Sequence, residues 1–153
     1  MDKMKTPALG KTILIVEDDI LCALVLKDEF EDAGYDVLDL TSRHHEALDA
    51  ALNSKPALAL VNIELHGRDD GIALAHELKL IGVPSLFISG QTSRASSARS
   101  AAIGSMPKPY TPEDMVLAVA YLLGRLTGDE TLPCPDGLEY FGVASDEPAP
   151  ELV

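Results

Sequence analysis

Cysteine is scarce and is not placed as a pair. Cys22 falls inside an expected helix and Cys134 in an expected tail, so the two make neither a disulfide framework nor a metal motif, and the reducing cytosol is the simplest home. Positive charge is also short: 12 Lys and Arg stand against 25 Asp and Glu, for a formal net charge of -13 and a pI near 4.5. Such a chain repels phosphate backbones unless it carries a compensating basic stripe, which argues against nucleic acid and for basic or metal-bridged protein partners. Long apolar runs are missing too. No stretch reaches transmembrane length, and the polar, lysine-bearing segment from Met1 to Gly10 has no apolar core of a signal peptide, so neither export nor membrane insertion is expected. There are no internal repeats.

What is present fits one globular core with short tails, since 153 residues at 46% hydrophobic content are too few for two ordinary domains. Thr12 to Val16, Leu58 to Val61 and Ser85 to Ile88 read as buried strands, and Val37-Leu38 as a short one. Between them run helical periods. Ala23, Leu26, Phe30 and Ala33 recur at helical spacing before Gly34, Ser42 can cap a helix through about Asn53, and Leu74, Leu78 and Ile81 put one face of a helix on the core before Gly82. Pro84 opens the fourth strand. The Ser, Ala and Arg-rich stretch from Thr92 to Ala102 lacks an aliphatic stripe, so a helix there is weakly anchored. Thr111-Pro112-Glu113-Asp114 is a strong helix start, with a capping threonine, a proline at the first turn and acids at the positive end of the dipole, and this helix should run to about Gly124. Five strands alternating with five helices predict an α/β open sheet covered on both faces.

Four strand ends carry polar chemistry. The first strand runs into Glu17-Asp18-Asp19, the second long one into Asn62, the next into Ser89-Gly90, and Gly104 to Pro107 leads into Lys108-Pro109-Tyr110. In a doubly wound parallel sheet these ends converge on one rim. Taken singly, an acid pair is a solvated loop or a helix cap, which Asp19 can supply, while Lys108 is a surface lysine and Ser89 a turn residue. Taken together and in this order, Glu17, Asp18, Asn62, Ser89 and Lys108 resemble the receiver domain of two-component response regulators, the CheY-like family. The resemblance spans residues 11 to 125. It leaves residues 1–10 as an N-terminal extension and 126–153 as an acidic, Pro-rich tail. It implies a flavodoxin-like, doubly wound five-stranded parallel sheet of order 2-1-3-4-5, and a cis bond at Lys108-Pro109.

Phosphoryl transfer to a carboxylate needs an anionic oxygen in line with phosphorus, a divalent metal, and a cation and a hydroxyl on the remaining oxygens. Glu17 and Asp18 suit magnesium, a hard ion that prefers oxygen. The resemblance implies that Asp18 ligates directly, Glu17 mainly through water, Asn62 from the acceptor position and Glu64 through its backbone carbonyl, with Lys108 and Ser89 on the acceptor or phosphoryl oxygens.

Asn62 breaks that scheme. A carboxamide is neutral, with its nitrogen lone pair delocalised, and is a poor phosphoryl acceptor even though its oxygen can ligate metal. Losing one of three clustered carboxylates also relieves repulsion, by at most about 4 kcal/mol for a close pair at an effective dielectric near 20. Asp69 and Asp70 lie several residues past the strand end and are not promoted to acceptor. Ser105 stands three residues before Lys108, where the family usually carries an aromatic switch residue. His44-His45 reads as a solvated helix start rather than a metal site.

The expected function is thus a stand-alone, cytoplasmic receiver module in phosphorelay signalling. It is degenerate at Asn62, is not an enzyme, and works by contact with a sensor histidine kinase or another signalling protein, with magnesium binding weakened. Three alternatives stand beside it: an ordinary phosphoryl-accepting receiver in which Asn62 is an engineered replacement of Asp, a magnesium-dependent phosphatase, which would need a second strand-end nucleophile, and an assembly scaffold. In the last helix Val116, Val119, Ala120 and Leu123 form a docking stripe, while Leu117, Tyr121 and Leu122 require a second cover. Either the tail around Leu138, Tyr140 and Phe141 or a homodimer or kinase contact would supply it, with the balance slightly toward a partner.

Overall fold

Alternation along the first strand decides how the layers are built. In β1 (Thr12–Val16) Ile13 and Ile15 point to one face of the sheet and Leu14 and Val16 to the other, and all four are buried, so both faces must be covered. The computed structural model describes residues 11–65 and 70–142. In chain order the further elements are α1 (Ile20–Asp32), β2 (Asp36–Val37), α2 (His44–Ser54), β3 (Leu58–Asn62), α3 (Gly71–Leu80), β4 (Ser85–Ser89), α4 (Thr92–Ser97), β5 (Gly104–Pro107), α5 (Pro112–Leu126) and β6 (Glu139–Tyr140).

Five strands pair in parallel in the expected order, β2-β1-β3-β4-β5. A sixth corrects the expected count. β6 joins antiparallel to β5, so the sheet does not end at β5 and part of the expected tail lies on it. Ile13, Ile15, Leu58, Leu60, Leu86, Ile88 and Met106 pack against Ala23, Leu26 and Phe30 of α1 and Met115, Ala118, Val119 and Leu122 of α5. On the opposite face Leu14, Val16, Ala59 and Val61 meet Ala47 and Ala51 of α2 and Leu74 and Leu78 of α3, and Phe87 meets Ala75 of α3 and Ala95 of α4.

The helix ends follow local chemistry. Asp19 caps α1 by accepting from the N–H groups of Leu21 and Cys22, and Thr111 caps α5 by accepting from that of Asp114. The α2 start differs from expectation. Its cap position is Arg43, not Ser42, and the side-chain contact comes from Thr41, whose Oγ1 accepts from Arg43 N–H and donates to Glu46. His44 is not merely solvated, because its Nε2 meets Glu77 Oε2 of α3. The second strand sits one residue earlier than Val37-Leu38, and α4 covers only the first six residues of the stretch expected to be weakly anchored, with Ala95 buried.

The buried face of α5 also differs. Val119 and Leu123 of the expected stripe are buried, but the face also takes in Met115, Ala118 and the fully buried Leu122, while Val116 and Ala120 lie at its margins and Leu117 is 51% exposed. The second cover of this helix comes in part from the chain itself, because Tyr140 of β6 packs edge-on against Tyr121 with ring centres 5.7 Å apart.

Candidate functional site

At the carboxyl ends of β1 and β3 three predicted residues meet. The Asn62 side-chain nitrogen donates to Glu17 Oε2 at 2.8 Å and to Asp18 Oδ1 at 3.3 Å. Its Oδ1 accepts from the Glu64 backbone N–H at 3.3 Å. Chemistry dictates this orientation, since the reverse would turn a carbonyl oxygen toward two carboxylates and an N–H toward an N–H. Glu17 and Asn62 are buried and the Glu17 backbone is tied to the β2–α2 segment, its N–H donating to Thr41 O.

Burial raises the Glu17 pKa above the ordinary carboxylate value, against the opposing pull of the Asp19 N–H and the Asn62 amide on its charged form and, more weakly, of the Lys108 charge. Glu17 Oε2 takes the Asp19 N–H at 3.1 Å as well as the amide, whereas Glu17 Oε1 is buried with no hydrogen-bond partner among the described residues.

Ser89 and Lys108 share the rim but are not bonded to this trio. The buried Ser89 Oγ accepts from Gln91 N–H at 2.8 Å and lies 3.2 Å from both Glu64 Oε2 and Gln91 O, so its one proton serves one of them at a time. Lys108 donates its backbone N–H to Ser89 O, tying the ends of β4 and β5, and its side chain is exposed and forms no ion pair among the described residues. The Lys108-Pro109 bond is cis, as the resemblance implies. Ser105, at the expected switch position, is buried in β5, its hydroxyl without a hydrogen-bond partner among the described residues.

Two participants escaped the sequence reading. Arg94, in the stretch read as rich in Ser, Ala and Arg but given no role at the site, lies 3.6 Å from Glu64 Oε2 and 3.5 Å from Asp70 Oδ1 and holds α4 to the rim. Its signal was weak: one cation in the first turn of a helix without an aliphatic stripe. Gly71 is the other. A Cβ there would fall 2.2 Å from Asn62 O and 2.7 Å from Ile63 Cα, so only glycine lets α3 start against the end of β3. Its neighbour Asp70 caps α3 by accepting from Ile72 N–H at 2.9 Å, and Asp69 lies outside the described residues.

The chemistry available follows from these contacts. Two carboxylates and an orphaned Glu17 oxygen suit a hard divalent cation such as magnesium, which Glu17 and Asp18 would hold together with the Glu64 carbonyl. In the arrangement present, however, the Asn62 N–H groups already engage both carboxylates, so the amide must turn before its oxygen faces a metal. Among the described residues no group of three or more acidic, histidine or cysteine side chains could hold a metal ion.

Comparison with known proteins agrees with the fold. Residues 13–120 match the response regulator receiver domain family. Aerobic respiration control protein ArcA of Escherichia coli is 32% identical over 129 residues, covering 80% of this chain and 50% of ArcA, so the chain spans about half the length of that relative. A CheY-like receiver domain protein from Methanospirillum hungatei superposes with a TM-score of 0.68 at 25% identity, over 77% of this chain and 97% of its own. A response regulator protein from Burkholderia pseudomallei, solved with a phosphorylated aspartic acid, calcium ion and citrate, gives 0.66 at 25% identity, over 80% of this chain and 74% of its own.

Proposed function

We propose that this chain, which belongs to the response regulator receiver domain family, serves two-component signalling without itself accepting a phosphoryl group, and acts through protein contact. The observation that carries this reading is the Asn62 amide bound to Glu17 and Asp18. It puts a neutral hydrogen-bond donor where an in-line nucleophile would have to present an ionised oxygen. Among the described residues no neighbouring acid takes over. Asp70 is committed to capping α3 and to Arg94.

Receiver domains generally bind magnesium at the acidic rim, and in this chain Glu17 and Asp18 would hold it. The metal would supply positive charge beside the acids. The chain's own residues do the rest: Asn62 bridges the carboxylates, Ser89 and Arg94 fix Glu64, and Lys108 adds charge from the β5 end. A surface for contact lies next to this rim. Ile20, Leu21, Leu24 and Val25 of α1 are exposed, Leu21 by 71%, and Leu21 and Val25 line a groove with Pro109 and Tyr110.

The test is intact-mass measurement after incubation with acetyl phosphate and magnesium. The unaltered chain is expected to gain no phosphoryl mass, and Asn62→Asp to gain one that is lost in base. A base-labile phosphoryl adduct on the unaltered chain would overturn the proposal.

A further inference from the structure

The sheet has a second rim, opposite the acidic one, where β4 and β5 begin and α3 and α5 end. Between the end of α3, the start of β4 and the α4–β5 connection lies a cavity of about 250 Å³, just below the roughly 300 Å³ at which sites for drug-sized ligands begin. Its wall is mostly apolar, from Val83, Pro84, Ala101, Ala102, Ile103 and Leu126. Its charged part is cationic. Lys79 and Arg99 border it, and no Asp or Glu is among the described residues that line it. In a chain of net charge -13, a hollow with two cations and no acid is a local reversal of sign.

Neither cation has an acid to neutralise it among the described residues. Lys79 Nζ donates to Ser100 O at 2.7 Å, and Arg99 Nη2 donates to Phe141 O at 3.4 Å with its guanidinium carbon 5.4 Å from the Phe141 ring. These contacts hold both side chains beside the cavity, and each cation has more N–H groups than one carbonyl takes up. Two carbonyl oxygens at the end of α3 that would repel an anion are already engaged, because the Gly82 N–H turns back to Lys79 O and the Val83 N–H to Leu78 O.

Ser85 supplies a neutral donor. Leu86 belongs to the face covered by α1 and α5, so alternation along β4 turns the Ser85 side chain to the other side, with Phe87. There it lines the cavity, 1% exposed, and its hydroxyl is buried without a hydrogen-bond partner among the described residues. A buried hydroxyl left in that state costs stability, which an acceptor in the cavity would offset.

We propose that this cavity is a binding site for a small organic carboxylate, with Lys79, Arg99 and the Ser85 hydroxyl as donors to its anionic end and Val83, Ala101 and Ala102 against its apolar body. Two cations without an acid disfavour a cationic ligand, the apolar wall leaves a bare inorganic anion underfilled, and the volume is too small for a nucleotide or a folded peptide. Bound there, the ligand ties the α3–β4 and α4–β5 connections together and gives the domain a small-molecule input on the rim away from Asn62. This inference is independent of whether position 62 accepts phosphate.

The test titrates phenylacetate onto the full chain and follows backbone amide chemical shifts, with phenylacetamide as the neutral counterpart and inorganic phosphate as the anion without an apolar body. Phenylacetate should bind saturably and move the amides of Gly82, Ser85, Ala101 and Ala102, and phenylacetamide and phosphate should each bind at least about tenfold more weakly. Lys79→Gln combined with Arg99→Gln changes two exposed side chains and should weaken phenylacetate at least about tenfold, whereas Lys27→Gln on α1, across the sheet, should leave its affinity unchanged. No saturable binding, equal affinity for phenylacetamide or phosphate, an unaltered affinity in the double variant, or an equal loss in the Lys27 variant overturns the proposal. Should the double variant fail to fold, the unaltered chain decides: shifts gathered at Glu17, Asn62 and Lys108 instead of around Ser85 would overturn it.

Discussion

The side-chain amide of Asn62 donates to Glu17 Oε2 at 2.8 Å, joining the ends of β3 and β1 across the floor of the acidic rim. The two residues are 45 positions apart in sequence and both are buried. A donor placed between carboxylates offsets part of their repulsion, as a cation would, but without charge and without an exchangeable ligand. The site is thereby held together by the chain's own chemistry.

Glu17 makes this visible in pH dependence. Its pKa is raised, chiefly by burial, above the ordinary value of 4.5. A carboxyl that binds protons more tightly folded than unfolded makes stability fall as pH rises from 4.5 through the folded-state value, and the loss persists above it. Glu17→Gln keeps an acceptor for Asn62 and removes the charge. Thermal melts from pH 4 to 8 should show a higher Tm at pH 7 for the variant and a flatter profile above 4.5. An unchanged profile would mean that the buried charge carries no such penalty.

Gly71 sets the contact between α3 and the acceptor strand. With a Cβ only 2.2 Å from Asn62 O and the obstacle made of backbone, nothing flexible can yield. Gly71→Ala is expected to destabilise by about 3 kcal/mol, at the upper end of overpacking costs, as read by urea unfolding. A loss below about 0.5 kcal/mol would show that the helix start moves freely.

On α5 two leucines separated by five positions separate core from surface. Leu122→Ala empties a fully buried seat beside the sheet and is expected to cost about 3 kcal/mol, whereas Leu117→Ala, at a half-exposed position, should stay within about 0.5 kcal/mol. Comparable losses at both would place a further cover over Leu117.

How much of this the sequence carried depends on range. β1, β3 and β4 were legible as continuous apolar runs because each is buried on both faces, and the caps Asp19 and Thr111 were legible because capping is decided within three or four residues. The four strand ends gave the order of polar groups on the rim. The contacts among those groups were not legible. That the Asn62 amide turns its nitrogen to the acids, and that Ser89 attends to Glu64 rather than to Asn62, follow from three-dimensional packing of strands that are distant in sequence.

β6 was missed because two residues in a Pro- and Gly-rich segment show no periodicity, and its pairing partner is over 30 residues upstream. Of the stripe drawn on α5, Val119 and Leu123 are buried as expected, whereas Val116 and Ala120 are only partly so. Val116 and Ala120 are apolar at helical spacing, but Leu122 and Met115 fill the space under α1 and the sheet, and only tertiary packing chooses between neighbouring faces of a helix that is apolar nearly all round. Arg94 was hidden because a cation in a polar stretch announces nothing until the acids it reaches are in place.

Magnesium titration by calorimetry, comparing the unaltered chain with Asn62→Asp, tests most directly whether the amide occupies the carboxylates where a cation would sit. Restoring a third carboxylate adds attraction to a hard cation, bounded at about 4 kcal/mol per close unit-charge pair at an effective dielectric near 20 and smaller on a wet rim. Asn62→Asp is therefore expected to bind magnesium at least about tenfold more tightly, roughly 1.4 kcal/mol. Equal affinity in the two proteins would contradict the account, because it would mean that position 62 neither screens nor ligates at this site.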